Sequence, residues 1–309
     1  MAIQSVKATI NGIEYPLTYS SELGKYYVDI QAPSASSYPQ TNHYFPVRID
    51  VVDSYGNTAS ATDSTPTIGN NLKLFVKEQV KPVATITSHT SGSYITQDYV
   101  NLAFTILDNT NQSTGYSGID PSTITMTSSA GTVGTPTLTA VTGGYSGTVA
   151  ITDIPDGNVT FSVNGADYDG NTANTAQVTV IIDTVAPSLV VSSPADGYET
   201  NLDRITIIGT ASDATSSPVT VTISLRGTDQ GTVALDSSGH YEKEIGTLIE
   251  GENSISVTAT DAAGKSTTLT FSVWYSSAIP VISNPVITPN PVDAGTTYRL
   301  TVEVGYATT

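Results

Sequence analysis

The sequence predicts an all-β chain built from tandem β-sandwich modules. Three observations carry that reading. First, one strand-and-turn unit recurs three times: Gly-(x)-Tyr, an alternating strand, a Gly/Asn turn, a second alternating strand, then Asp-x-x-Gly-Asn or a close variant. The unit is clearest at Gly144-Tyr145, Asp156-Gly157-Asn158 and Asp167-Tyr168-Asp169-Gly170-Asn171, and again at Gly239-His240-Tyr241, Glu250-Gly251-Glu252-Asn253 and Asp261-Ala262-Ala263-Gly264-Lys265. A copy with a longer insert runs from Gly24-Lys25-Tyr26 to Asp53-Ser54-Tyr55-Gly56-Asn57. A fixed period of this kind marks repeated modules. Second, Thr, Ser, Val, Ile and Tyr carry most of the chain, and these suit a pleated, half-buried strand. Third, no stretch shows a sustained helical period with caps.

The elements follow in order. Residues 1–80 form the first module. Val6–Ile10 alternates, Asn11-Gly12 is a strong two-residue hairpin signal, and Ile13–Leu17 returns as a strand. Tyr26–Ile30 alternates again, and residues 31–43, rich in Ser and Pro, read as a long exposed loop. Tyr44–Val52 is the next strand, and Leu72–Lys77 is the last. Residues 81–185 form the second module, with a core strand at Val100–Leu107, a turn over Gly118–Ser122 before the strand Thr123–Met126, and a closing strand Val178–Ile182. Residues 186–277 form the third, with strands at Leu189–Val191, Ile205–Ala211, Thr220–Leu225 and Leu269–Trp274. Residues 278–309 are too short for a fourth module. They hold about two strands, Ile279–Ile287 and Thr297–Val304, and a lone hairpin is marginal in water. This partial β unit is expected to lie on its own chain, pair with another chain or fray.

The chain of 309 residues carries 28 acidic and 11 basic residues, a net charge of −17. Phosphate binding needs a basic footprint, so nucleic acid is not an expected partner. The acidity serves solubility; the sharper reading is that some carboxylates bind Ca²⁺. Without cysteine there are no disulfides, thiolate metal sites or cysteine nucleophile. The N-terminus reads as a strand rather than a signal peptide, and no apolar run is long enough to span a bilayer. If Met1 is native, the expectation is a chain that stays in the cytosol or leaves by lysis or within a particle.

Several fragments resemble bacterial immunoglobulin-like (Ig-like) repeat domains: Asp183-Thr184-Val185-Ala186-Pro187 at a module junction, Ser193-Pro194-Ala195-Asp196-Gly197 ahead of Ile207-Ile208-Gly209-Thr210-Ala211-Ser212-Asp213, and Asp261-Ala262-Ala263-Gly264-Lys265. The resemblance implies seven-stranded sandwiches in a row, rod-like, with Asp-x-x-Gly-Asn in the hairpin between the last two strands. The opening Met-Ala-Ile-Gln-Ser-Val and the phrase Val286–Gly295 are similar to Ig-like proteins encoded among phage and prophage tail genes. Such modules serve many functions, so the resemblance speaks to fold more than to role.

The three histidines, His43, His89 and His240, fall in separate loops or modules. They suggest no base within reach of a nucleophile, and nothing marks a carboxylate pair for glycoside hydrolysis. No enzyme activity and no resident cofactor is expected. In each Asp-x-x-Gly-Asn turn the plain reading is an Asp bonding its own backbone with Gly supplying φ > 0. A Ca²⁺ site wants six to eight oxygens, and Asp108, Asp167 and Asp169, or Asp196 and Asp213, are the candidates to supply them together with a linker carbonyl. The 17 tyrosines combine an apolar ring with a wet hydroxyl. Tyr38, His43, Tyr44 and Phe45 form the best ligand-binding candidate, with Tyr116 as a second in the loop 111–118. Candidates for assembly are Trp274, Tyr275, Ile282, Val286, Ile287, Tyr298, Leu300 and Val302.

The expected function is a non-enzymatic structural or adhesion component of a phage-like particle, located on the virion. It would pair with other virion or tail proteins by strand addition through 279–304, display loops toward cell-surface glycans or proteins, and be open to homo-oligomer formation. The alternatives are a bacterial surface adhesin or spacer recognising glycans, outside the cell, and the accessory region of a secreted carbohydrate enzyme.

Overall fold

The computed structural model describes residues 2–108 and 115–307. Loop residues 111–114, part of the loop expected around Tyr116, lie outside the described residues. The chain divides into two compact units, 1–182 and 183–309. It is an all-β array of tandem Ig-like sandwich modules.

Unit one contains two sheet systems. The first is a five-stranded sheet in the order Ile13–Pro16, Ile3–Ile10, Phe45–Asp53, Thr58–Ala61, with Lys73–Leu74 also on Phe45–Asp53. A separate hairpin pairs Thr18–Ser20 with Lys25–Tyr27. Two expected strands are shorter here: the one from Tyr26 stops at Tyr27, and the closing strand is confined to Lys73–Leu74. The seven-stranded sandwich that the resemblance implies needs correction in this first region, which holds one five-stranded sheet and a two-stranded hairpin. Its separate hairpin has only three residues per strand, and only a few apolar side chains, among them Val6, Ala8, Phe45 and Val76, are buried.

The second system is a full sandwich. One sheet runs Thr132–Val133, Gly144–Thr152, Val100–Leu107, Val83–Ile86, and the other Ile119–Ser128, Gly157–Asp167, Ala176–Ile182, Tyr94–Ile95. Strict alternation on Val100–Leu107 turns Val100, Leu102, Phe104 and Ile106 inward against Val159, Phe161 and Val163 of the facing sheet. The turn expected at Gly118–Ser122 is instead strand from Ile119, with a register shift between Asp120 and Thr125. The bulge absorbs Pro121, which has no N–H to give to a ladder.

Unit two holds another sandwich. A three-stranded sheet, Ser188–Ser193, Arg204–Ser212, His240–Gly246, faces a five-stranded one, Tyr198–Thr200, Ser266–Tyr275, Gly251–Thr260, Thr220–Leu225, Thr228–Val233. Tyr241 is the largest fully buried side chain. It stands opposite Gly209 in the register, and a Cβ at Gly209 would collide with the Tyr241 ring and with the Val190 carbonyl. The glycine therefore makes the space into which the tyrosine of Gly-x-Tyr lies flat. The Tyr241 hydroxyl donates to the Val190 carbonyl at 2.9 Å, and burial pushes its pKa to about 12. The unit ends in the hairpin Pro280–Thr288 with Arg299–Tyr306.

In denaturant unfolding, Gly209→Ala should destabilise by about 1–3 kcal/mol, because the sheet and the ring cannot both keep their places. Tyr241→Phe should cost about 1 kcal/mol, the net worth of one hydrogen bond. The reverse order of the two would disprove this account of the pairing.

Candidate metal centres and binding surface

The Asp-x-x-Gly turn is built the same way wherever it occurs. Asp53, Asp167 and Asp261 each donate their N–H to the carbonyl of the residue four ahead and accept the N–H of the glycine three ahead. In each, Oδ1 also accepts the N–H of that fourth residue, at 2.8–2.9 Å. Gly56, Gly170 and Gly264 have φ between +86° and +91°, the left-handed region that glycine enters without strain. Asp236 forms the same backbone turn with Gly239 and His240. The plain reading of these turns is correct for their backbones.

Two of the turns do more. Asp167 is buried and meets Glu78 and Asp108; Asp261 is buried and meets Asp183 and Asp213. In each group, carboxylate oxygens from all three residues lie within 4.8 Å of one another. The groups are built alike. Glu78 and Asp183 lie in the segments leading into the strands Val83–Ile86 and Ser188–Ser193; Asp108 and Asp213 directly follow Val100–Leu107 and Arg204–Ser212; Asp167 and Asp261 open the turn before the final strand. The same number of residues separates Glu78 from Asp108 and Asp183 from Asp213. Among the described residues Asp53 has no such neighbours; it is half-buried at the end of its strand.

The partners of the first group are specific. Asp108 Oδ2 accepts the Gly118 N–H at 2.6 Å, while its Oδ1 is buried without a partner. The Asn171 side chain donates to Asp167 Oδ2 and to Glu78 Oε1, both at 2.8 Å, and the Val80 N–H donates to Glu78 Oε2. Burial first, then a hydrogen bond shared with Asp167 and repulsion from Asp167 and Asp108, push Glu78 up to about 7. Burial, with repulsion from Asp167 and Asp169, also raises Asp108. In the second group, Lys265 replaces the asparagine, and Asp261 Oδ2 is buried without a partner. Ser216 donates its hydroxyl to Asp183 and its N–H to Asp213 Oδ1 at 2.7 Å.

Two of the expected ligands need correction. Asp169 lies next to the first group but accepts the Glu78 N–H at 3.0 Å as a linker anchor. Asp196 is exposed and accepts the Ser272 N–H at 2.8 Å; it is not grouped with Asp213. Sequence reasoning missed Glu78, Asp183 and Asp261, although the equal spacing from each linker acid to the next strand-end Asp was a readable signal.

A separate aromatic surface lies in unit one. Tyr38 stacks on Tyr168 with centroids 4.2 Å apart and planes 8° from parallel, and His43 stacks on the Tyr38 ring at 4.1 Å. Tyr168 is the second residue of the Asp167 turn, and it is 40% exposed. A groove of about 170 Å³ runs beside the stack, lined also by Phe75, Lys77 and Asp169. Tyr44 packs edge-on to Phe75 at 5.8 Å, lies under the Lys73 ammonium, and donates its hydroxyl to Asp63, which raises its pKa. Phe45 is corrected from surface candidate to core, being 2% exposed at the start of its strand, whereas Tyr44 precedes the strand and is half-buried. Tyr116 is half-buried. The loop 31–43 is not wholly exposed: Ser36 and Ser37 are buried, and Ser37 exchanges hydrogen bonds with Val76.

In unit two, Trp274 is 48% exposed and lines a shallow cleft of about 600 Å³ with Tyr198, Glu199, Leu202 and Glu250. Tyr275 packs partly against the core. In the final hairpin every described residue is exposed. Ile282, Ile287, Leu300 and Val302 fall on one face by register, Val286 falls on the other, and Tyr298 precedes the second strand.

The family model for glucodextranase, domain B, matches residues 187–276, less than half of the chain. Bacillopeptidase F of Bacillus subtilis (strain 168) is 34% identical over 115 residues, 37% of this chain. The chain spans only 7% of that relative's length. Among solved structures, the fibronectin(III)-like modules of Clostridium thermocellum CbhA are 17% identical, covering 62% of this chain and 94% of theirs at a TM-score of 0.35. A tetra-tandem repeat from the extending region of a large adhesion protein is 18% identical, covering 97% and 79% at 0.34. Bacteroides ovatus SGBP-B, in complex with a mixed-linkage heptasaccharide, is 15% identical, covering 95% and 68% at 0.22. At these scores none of the three bears on function. Among the described residues no helix is long and apolar enough to cross a membrane.

The raised Glu78 pKa makes a pH prediction for the protein in chelator. A carboxyl group whose folded value exceeds its unfolded value stabilises fully below the unfolded value, and that contribution is lost as pH rises through the folded one. Melting temperature should therefore fall between about pH 5 and pH 8, and Glu78→Gln should flatten that fall. An identical slope in the variant would show that Glu78 does not titrate in this range.

Proposed function

We propose that the chain is a non-enzymatic adhesive spacer facing the outside of a cell, in which sandwich modules hold an aromatic surface against glycans. The observation that carries this reading is the Tyr168–Tyr38–His43 stack. It joins two sheet systems of unit one beside a groove that also offers Lys77 and Asp169. Flat aromatic faces with polar groups at the rim suit the apolar faces and hydroxyls of a sugar. The partial likeness to Bacillopeptidase F and to a glucodextranase domain supports a place among extracellular modules, and the accessory region of a secreted enzyme remains within this proposal. The test is affinity electrophoresis against cell-wall and storage polysaccharides. Tyr38→Ala and Tyr168→Ala should each weaken retardation on the order of tenfold, as the loss of a central aromatic contact does. Unchanged retardation in both, or none for the parent protein on any polysaccharide, would overturn the glycan reading.

A second reading, that the chain is a component of a phage-like particle, is favoured by the terminal hairpin, whose two edges and apolar face are open. Open strand edges and an apolar stripe suit strand addition by another chain. Deleting residues 278–309 should then abolish incorporation into particles while the remaining sandwiches keep their melting behaviour. Normal incorporation of the shortened chain would reject this reading.

A further inference from the structure

We propose that the two carboxylate triads, Glu78/Asp108/Asp167 and Asp183/Asp213/Asp261, are Ca²⁺ sites that clamp the segment entering each sandwich onto the turn that ends it. Acidic clusters are common on an acidic protein, and closeness alone would not make these sites. Burial and an unpartnered oxygen in each do. Glu78, Asp108 and Asp167 are 7%, 4% and 3% exposed, Asp183 and Asp261 are 0% and 6%, and Asp213 is half-buried. Three carboxylates in so small and dry a space repel one another strongly unless a cation or protons compensate. No Lys, Arg or His among the described residues forms an ion pair with any of the six; the ion pairs lie elsewhere on the surface. Each triad also keeps one buried oxygen, Asp108 Oδ1 or Asp261 Oδ2, without a hydrogen-bond partner. A buried unpaired carboxylate oxygen is costly, and a cation coordinated at the triad would satisfy it.

The donor set selects the ion. All six side chains offer hard oxygen and neither group includes nitrogen or sulfur, which excludes the ligands that favour zinc and copper. Three carboxylates, counted mono- or bidentate, supply three to six oxygens in an irregular arrangement. Ca²⁺ accepts irregular shells of six to eight oxygens, whereas Mg²⁺ keeps an octahedral shell with several of its own waters. Burial of five of the six acids limits the several retained waters that Mg²⁺ would need, so Ca²⁺, its shell completed by a linker carbonyl or a single water, fits better.

The repetition is an independent argument. The two triads take their acids from corresponding places in two sandwiches: the entering segment, the end of the second long strand, and the closing turn. Their hydrogen-bond surroundings differ. Asn171 serves one group and Ser216 the other, yet the acids and one orphan oxygen are kept in both. The first turn, at Asp53, lacks a linker acid and a strand-end Asp and serves as the internal control.

The test uses the full chain, stripped with chelator, and CaCl₂ as the probe. Equilibrium dialysis should give two Ca²⁺ bound per chain, and melting temperature should rise in Ca²⁺ over EDTA, with Mg²⁺ at the same concentration giving a smaller rise. Asp108→Asn and Asp261→Asn should each remove one bound ion, weakening that site at least tenfold, and the double variant should bind none. Asp53→Asn should bind two. The Asn variants are near-isosteric and remove a repelling charge, so in EDTA they should melt at or above the parent, which separates lost binding from lost folding. Absence of Ca²⁺ binding at millimolar concentration, an unchanged stoichiometry in the double variant, or Mg²⁺ binding as tight as Ca²⁺ would each overturn the assignment.

Discussion

The Asp-x-x-Gly turn is the constraint on which much of this molecule depends. Its aspartate accepts a backbone N–H four residues ahead while glycine takes a positive φ, and together they fix the register of the hairpin that follows. In two sandwiches that hairpin carries the final strand, so the turn sets which face of Ala176–Ile182 and of Ser266–Tyr275 is inward. The same carboxylate points its remaining capacity toward the acids of the entering segment and the strand end. One short motif thereby serves local folding and the construction of a charged site.

Charge is distributed to match. The exposed acids are tuned by neighbours that favour ionisation: hydrogen bonds from Ser60 and Arg48 hold Asp50 below the usual carboxylate range, those from Ser277 do so for Glu250, and those from Ser238 and His240 for Asp236. The buried acids Glu78 and Asp108 are pushed the opposite way, first by desolvation and then by neighbouring carboxylates, Asp167 above all. A protein with an excess of surface carboxylates has no need of buried ones for solubility, so their place in two sandwiches calls for a local cause. A cation held at that point would join the entering segment to the turn in each.

Much of the fold was legible in the chain. Alternation on Val100–Leu107 and Thr220–Leu225 marked strands whose bounds the structure reproduces, because a period of two with one buried face admits few other readings. The site was less legible. Asp108, Asp167 and Asp213 were recognised as candidate ligands, but Glu78, Asp183 and Asp261 were not, since each looked like ordinary linker or turn chemistry. Asp169 and Asp196 looked as suitable as their neighbours and proved to be backbone acceptors. Phe45 and Tyr44 are adjacent, and only the tertiary structure puts Phe45 in the core while Tyr44, just before the strand, stays half-buried.

The sequence by itself determined the class of fold, the repeated turn and the acidic, strand-rich character of the chain, because these follow from local periodicity and from what Asp and Gly do within a few residues. The tertiary structure alone decided which acids meet and which rings stack. Glu78 reaches Asp167, and Tyr38 reaches Tyr168, across long separations in the chain. Such meetings depend on how sheets pack and where strands end. Those are properties of the assembled core, and no short window of sequence encodes them.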